Sequence, residues 1–198
     1  PAAPWRRARQ PMPVGQTDVC NNLMAHSKIA PAKINLCLHV GPLRADGLHE
    51  LASLAVFPAI GDEISVRAGD SLVLDVTGPF APALSGLAPE DNLVMRAASL
   101  LQQHTGITRG ANIVLTKNLP PASGMGGGTS DAATVLVLLR KLWAVTIEDA
   151  DLLALAFTLG ADGPLCLAPH LSGSNAAAAT GWERSIALSA TSATGNAT

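Results

Sequence analysis

Leu119-Pro120-Pro121-Ala122-Ser123-Gly124-Met125-Gly126-Gly127-Gly128-Thr129-Ser130-Asp131-Ala132-Ala133 sets four glycines within five residues, between a Pro-Pro pair and a hydroxyl pair. Glycine has no Cβ, so such a loop can bring its backbone N–H groups close to an anion. An apolar helical pattern follows, and the start of a helix adds free N–H groups and a positive dipole end. The stretch reads as a phosphate cradle. It is not a Walker loop, because Gly128 is followed by Thr129 with no Lys. It is not a dinucleotide fingerprint either: the sixth position is Thr129 counted from Gly124 and Asp131 counted from Gly126. A flexible Gly-rich linker is the plain alternative. The apolar β-type run Ala111 to Leu115 before the loop and the helix former after it argue against a linker.

Working outward, Ala111 to Leu119 is the expected strand into the loop, and Asp131 to Trp143 the helix out of it, with Ala132, Val135, Leu136, Leu139 and Leu142 at helical spacing. Upstream, Lys33 to Val40 alternates, which predicts a half-buried strand with Lys33, Asn35, Cys37 and His39 on its polar face. Arg44 to Gly47 reads as a turn. Leu51 to Phe57, Glu63 to Arg67 and Leu72 to Val76 read as further strands, the last two joined by a hairpin-type turn at Gly69-Asp70. Asp91 or Asn92 can cap a helix carrying Leu93, Ala97, Leu100 and Leu101 that stops near Gly106. Thr146-x-x-Asp149 resembles a capping box opening a helix closed by Gly160.

The ends differ in character. Residues 1–28 hold several prolines and arginines with little periodicity and read as a disordered leader, with structure starting near Ile29. Residues 29–169 read as one domain. Residues 170–198 are mostly Ala, Ser, Thr, Gly and Asn, so they are expected to bury too little to offset their ordering entropy and to form a disordered tail.

A net charge of −2 gives no electrostatic footprint for nucleic acid or a membrane surface. No apolar run reaches the length of a membrane span. The three widely spaced cysteines, Cys20, Cys37 and Cys166, form neither a disulfide framework nor a zinc pattern and suit a reducing, cytoplasmic compartment.

Three further signals accompany the loop: Pro31-Ala32-Lys33-Ile34-Asn35-Leu36, Arg44-Ala45-Asp46-Gly47-Leu48-His49-Glu50, and Leu159-Gly160-Ala161-Asp162-Gly163-Pro164. Each alone has a plain reading, as a solvated lysine, a surface histidine or a turn aspartate. In this order they resemble the GHMP kinases, the superfamily of galactokinase, homoserine kinase and mevalonate kinase. Within it they resemble the family of 4-diphosphocytidyl-2-C-methyl-D-erythritol kinases of the non-mevalonate isoprenoid pathway. That resemblance implies an α+β fold like the second domain of ribosomal protein S5, with a left-handed βαβ crossover, although the general rule favours the right hand.

It also implies phosphoryl transfer from ATP with Mg²⁺ to the 2-hydroxyl of a small-molecule acceptor, 4-diphosphocytidyl-2-C-methyl-D-erythritol. The loop from Pro120 to Ser130 matches the triphosphate cradle, with Met125 in its middle. The hydroxyls of Thr129 and Ser130 suit a phosphate oxygen or Mg²⁺. Asp162 matches the general base, and Lys33 the partner that keeps that carboxylate ionised and neutralises the transferring group. Asn35 matches an orienting residue, and Leu48 and His49 the cytosine contacts.

Three departures stand out. Leu48 replaces a Tyr or Phe, losing a stacking face worth about 1–3 kcal/mol per base in other systems. Gly163 replaces a Val or Ile and is expected to loosen the loop that carries Asp162. The resemblance ends near Pro169, whereas family members continue for about a hundred residues as a second domain of ordinary size. The expectation is therefore a chain lacking its C-terminal domain. That leaves two alternatives to the full kinase: a nucleotide-binding remnant with little catalysis, or another GHMP small-molecule kinase.

Overall fold

Four strands of a twisted sheet carry the molecule's core: β1 (His26–Pro31), β4 (Gly61–Gly69), β5 (Leu72–Thr77) and β6 (Gly110–Thr116), in the order β1-β4-β6-β5. The computed structural model describes residues 25–43, 48–171 and 183–193, and of 48–52 and 183–193 the backbone alone. Along β4, Asp62, Ile64 and Val66 are buried while Glu63 and Arg67 are exposed, the period of two expected when one face is covered. Three helices supply the other layer: α1 (Leu93–Thr105), α2 (Gly127–Leu142) and α3 (Asp149–Leu159). Val94, Ala97 and Leu101 of α1 and Val135, Leu136 and Leu139 of α2 meet Ile64, Ile113 and Leu115 of the sheet in one apolar cluster. Trp143 is the largest fully buried side chain, and its indole Nε1 donates to the Gly110 carbonyl at 3.2 Å.

Strands β4 and β5 do not form the expected hairpin. β6 lies between them, antiparallel to β4 and parallel to β5. The connection from β5 to β6 therefore crosses over through α1, as a parallel pair requires. Gly110 permits the insertion: a Cβ there would lie 2.3 Å from the Ser71 nitrogen. Helix α1 starts as read, with the Asn92 Oδ1 accepting from the Val94 N–H at 2.9 Å, and it stops at Gly106 with φ of 69°.

Other boundaries move. β1 begins at His26, inside the expected leader. It is an edge strand held by backbone pairing to β4, so it leaves no apolar alternation to read. Helix α2 begins at Gly127, four residues ahead of Asp131, because Gly126 takes the left-handed conformation (φ 63°) that starts it. Thr146 is not a cap: α3 starts after Glu148, and Asp149 instead pairs with Arg140 at 2.6 Å.

A second sheet, β2-β3-β7, stands apart, formed by β2 (Ile34–Leu43), β3 (Leu48–Pro58) and β7 (Glu183–Ala193). Its β7 lies inside the segment 170–198 expected to be a disordered tail, and within that segment residues 172–182 and 194–198 lie outside the described residues. Eleven residues of that tail pair antiparallel with β3, from Leu48 opposite Ala193 to Pro58 opposite Glu183. Main-chain hydrogen bonding along an open strand edge places few demands on side-chain size, which the composition did not reveal. The expectation of a half-buried β2 also fails. Leu36 is 61% exposed and Val40 62%, so the apolar side of this strand is uncovered among the described residues. The turn Arg44 to Gly47, Cys20 and most of the expected leader lie outside the described residues. So do the side chains of Leu48 and His49.

Candidate active site

Residues 129 apart in sequence meet at the mouth of the glycine loop: the Lys33 Nζ lies 2.9 Å from the Asp162 Oδ2. Lys33 sits in the link between β1 and β2, buried to its tip, and its Nζ also donates to the Asn35 Oδ1 at 3.3 Å. Asp162 stands at the N-cap position of α4 (Gly163–Leu167) without a capping hydrogen bond from its side chain, which is 48% exposed. The pair thus joins a desolvated cation to a carboxylate that solvent, or an acceptor, can reach.

Gly163 does not loosen this corner. A Cβ there would lie 1.9 Å from the Ala156 carbonyl oxygen, so glycine allows the α4 backbone to press on α3. One turn beyond, the buried Cys166 thiol is pushed up to about 12 by burial and by the Asp162 charge, and it stays protonated.

The loop itself borders a cavity of about 340 Å³. Pro120, Pro121, Ala122, Ser123, Gly124, Gly126, Gly127, Gly128 and Thr129 line it; Met125 and Ser130 do not. Met125 contributes its carbonyl instead, accepting the Lys33 N–H at 2.8 Å, which ties the cradle to the Lys33–Asp162 pair. Ser130 is fully buried with its hydroxyl unpartnered, so of the Thr129-Ser130 pair it is Thr129 that borders the cavity. Ala122 holds a φ of 56°, unusual for a residue with a Cβ. A Cβ on Gly126 would lie 3.2 Å from the Lys33 Cε, so the cradle comes as close to the lysine as glycine allows.

Below the loop lies a second Lys–Asp cluster that motif reading passed over. The Lys117 Nζ donates to the Asp62 Oδ2 and, at 2.8 Å, to the Asp131 Oδ2. The Asp62 Oδ1 accepts from the Asn118 and Leu119 backbone N–H groups at 2.6 and 2.8 Å. All three side chains are buried. Burial works against the Lys117 charge, but the two carboxylates outweigh it and hold its pKa above the ordinary lysine value. Burial pushes Asp131 up to about 7, against the pull of Lys117 and with a further push from Asp62. The one signal in the sequence was a lysine three residues ahead of the loop.

Residues 92–169 match the GHMP kinases N terminal domain. The chain is 52% identical over 141 residues to 4-diphosphocytidyl-2-C-methyl-D-erythritol kinase of Parvibaculum lavamentivorans, covering 71% of this chain and 48% of that protein. To the kinase of the same name from Ruegeria pomeroyi it is 54% identical over 147 residues, covering 74% and 49%. The chain closely resembles the 4-diphosphocytidyl-2-C-methyl-D-erythritol kinases of the GHMP superfamily.

A crystal structure of 4-(cytidine 5'-diphospho)-2C-methyl-D-erythritol kinase superposes with a TM-score of 0.58 at 40% identity, covering 72% of this chain and 48% of that one. The architecture is thus the α+β fold of the GHMP kinase N-terminal domain. The chain spans about half the length of the 4-diphosphocytidyl-2-C-methyl-D-erythritol kinases it matches.

Proposed function

We propose that this chain is the nucleotide-binding part of an ATP-dependent kinase that phosphorylates the 2-hydroxyl of 4-diphosphocytidyl-2-C-methyl-D-erythritol. The observation that carries the reading is the Lys33–Asp162 contact at 2.9 Å, tied to the glycine loop through the Lys33 N–H and Met125 carbonyl. The residues present suit a magnesium nucleotide. Gly126, whose Cβ would crowd Lys33, lets the loop backbone approach phosphate oxygens beside that lysine. Thr129 offers a hard hydroxyl oxygen. Among the described residues no group of three or more His, Cys, Asp or Glu side chains gathers. Mg²⁺ is held mainly by phosphates and water and by one or two protein oxygens.

ATP supplies the phosphoryl group, and Mg²⁺ offsets its charge. The chain's residues do the remaining work. The loop N–H groups orient the polyphosphate. Lys33 occupies one Asp162 oxygen, and the other takes the acceptor's hydroxyl proton as the new O–P bond forms. The buried Lys33 ammonium stays beside the transferring group and opposes its negative charge. Asn35 holds the ammonium in place. His49 and Leu48 are proposed to meet the cytosine, and the compartment is proposed to be cytoplasmic. Among the described residues no helix is long and apolar enough to cross a membrane.

Release of ADP in a coupled assay with this acceptor tests the proposal; no release from folded protein refutes it. A second reading, nucleotide binding without transfer, draws on the half-exposed Asp162 and the uncovered apolar side of β2, which leave the acceptor region open to water. ATP binding without ADP release would select it. Phosphorylation of homoserine or mevalonate instead would select another GHMP kinase.

A further inference from the structure

Lys117 stands three residues ahead of Pro120, where the glycine loop begins, and Asp131 is the fifth residue of α2, the helix that follows it. Their contact at 2.8 Å closes the loop at its base, across fourteen positions of sequence. Asp62 adds a third fixed point from β4 by accepting the N–H groups of Asn118 and Leu119, where the chain turns out of β6. Gly127, the first residue of α2, packs directly on this cluster: a Cβ there would make ordinary contact, at 3.5 Å, with both the Asp62 Oδ2 and the Lys117 Nζ.

A loop rich in glycine does not hold one shape by itself, because glycine has many conformations to lose. This one is held in left-handed geometry at Ala122, Gly124 and Gly126. The Asp131 Oδ1 is buried without a partner in the cavity wall, so the cluster is not a fully satisfied packing unit. Apolar side chains of similar volume often stabilise a core as well as buried ions do. The placement of these charges at the loop's two ends therefore calls for a role beyond stability.

We propose that Lys117 is a positioning residue for the anion cradle: its ammonium, clasped by Asp62 and Asp131, joins the two ends of the glycine loop and holds the loop's N–H donors at the spacing a polyphosphate requires. The anion part of this inference rests on the nucleotide reading of the site above; the loop-bracing part does not.

The test uses the full chain carrying Lys117→Met together with Asp131→Asn. The pair removes the ammonium together with one of its two carboxylate partners, and Asp62 retains its backbone donors. Amide hydrogen exchange across residues 119–130 is expected to rise about tenfold or more, while the second half of α2 keeps its protection. The dissociation constant for magnesium ATP is expected to rise about tenfold. Unchanged loop exchange overturns the proposal, and so does an equal rise through loop and helices, which would make Lys117 a stabiliser of the whole fold only. Should the double variant not fold, Asp131→Asn alone is read by the same loop-against-helix criterion. A wild-type chain with a protected loop but no affinity for ATP refutes the nucleotide reading, and loop exchange in the variants still decides the bracing role.

Discussion

Two lysine–aspartate clusters flank one glycine loop, and their surroundings divide the labour between them. Below the loop, Lys117 is shared by two carboxylates and all three groups are dry. At its mouth, Lys33 is just as buried, but among the described residues its one carboxylate partner, Asp162, is half in water. A carboxylate that must receive a proton from an acceptor needs an open side. One that braces a loop gains from being enclosed, since a hydrogen bond in a low-dielectric interior is stronger and its loss more costly.

The largest expected effect belongs to the open pair. Asp162→Asn keeps the side-chain shape and an oxygen for Lys33 but cannot accept the acceptor's proton. Turnover is expected to fall by about 10²–10⁴-fold, with the dissociation constant for ATP nearly unchanged. Steady-state ADP release beside calorimetric ATP binding separates the two. Equal losses in binding and turnover would erase the distinction between the clusters.

Next comes the cost of breaking the enclosed cluster. Lys117→Met leaves two buried carboxylates without their cation and is expected to lower stability by about 3–5 kcal/mol. Urea unfolding measures it. A loss below about 1 kcal/mol would mean that the buried cluster behaves like a surface pair.

A pH titration sharpens the same contrast. Asp131 in the folded chain is raised to about 7 from an ordinary value of 3.8, chiefly by burial. The folded state therefore holds a proton that the unfolded chain releases. The stabilisation this gives is complete below about pH 4 and is lost as pH rises through 7. Asp131→Asn carries no titrating group, so its stability relative to wild type is expected to improve by about 2 kcal/mol between pH 5.5 and 8. Denaturant melts at the two pH values check it, and a constant difference would show that Asp131 titrates alike in both states.

The two clusters were unequally visible in sequence. Lys33 and Asp162 were legible because each sits in a short motif whose neighbours repeat a familiar kinase order. The cluster at Lys117 joins three elements at positions 62, 117 and 131, and only the burial of all three makes it one unit. The sheet shows the same divide. Alternation located β4 and β5, but the placement of β6 between them is a long-range choice that the turn residues Gly69-Asp70 could not reveal. Strand β2 shows the converse: its alternation is clean, yet nothing among the described residues covers its apolar side. Periodicity reports which side of a strand is apolar, not whether a partner is there to bury it.

The smallest expected effect returns to the open pair. Lys33→Met removes a buried ammonium that contacts Asn35 and Asp162. Methionine fills much of the same volume without a charge to desolvate. Asp162, already half exposed, can take water in place of the lost donor, so no carboxylate is stranded as at Lys117. Stability is expected to change by about 1 kcal/mol or less, in either direction, while turnover falls. The remaining stability difference should shrink further with added salt, which screens a partly exposed charge but hardly reaches a buried one. Urea melts of Lys33→Met and Lys117→Met at low and high salt place the two on one scale. If both cost the same, the exposure of Asp162 would not be what separates a group that reacts from one that braces.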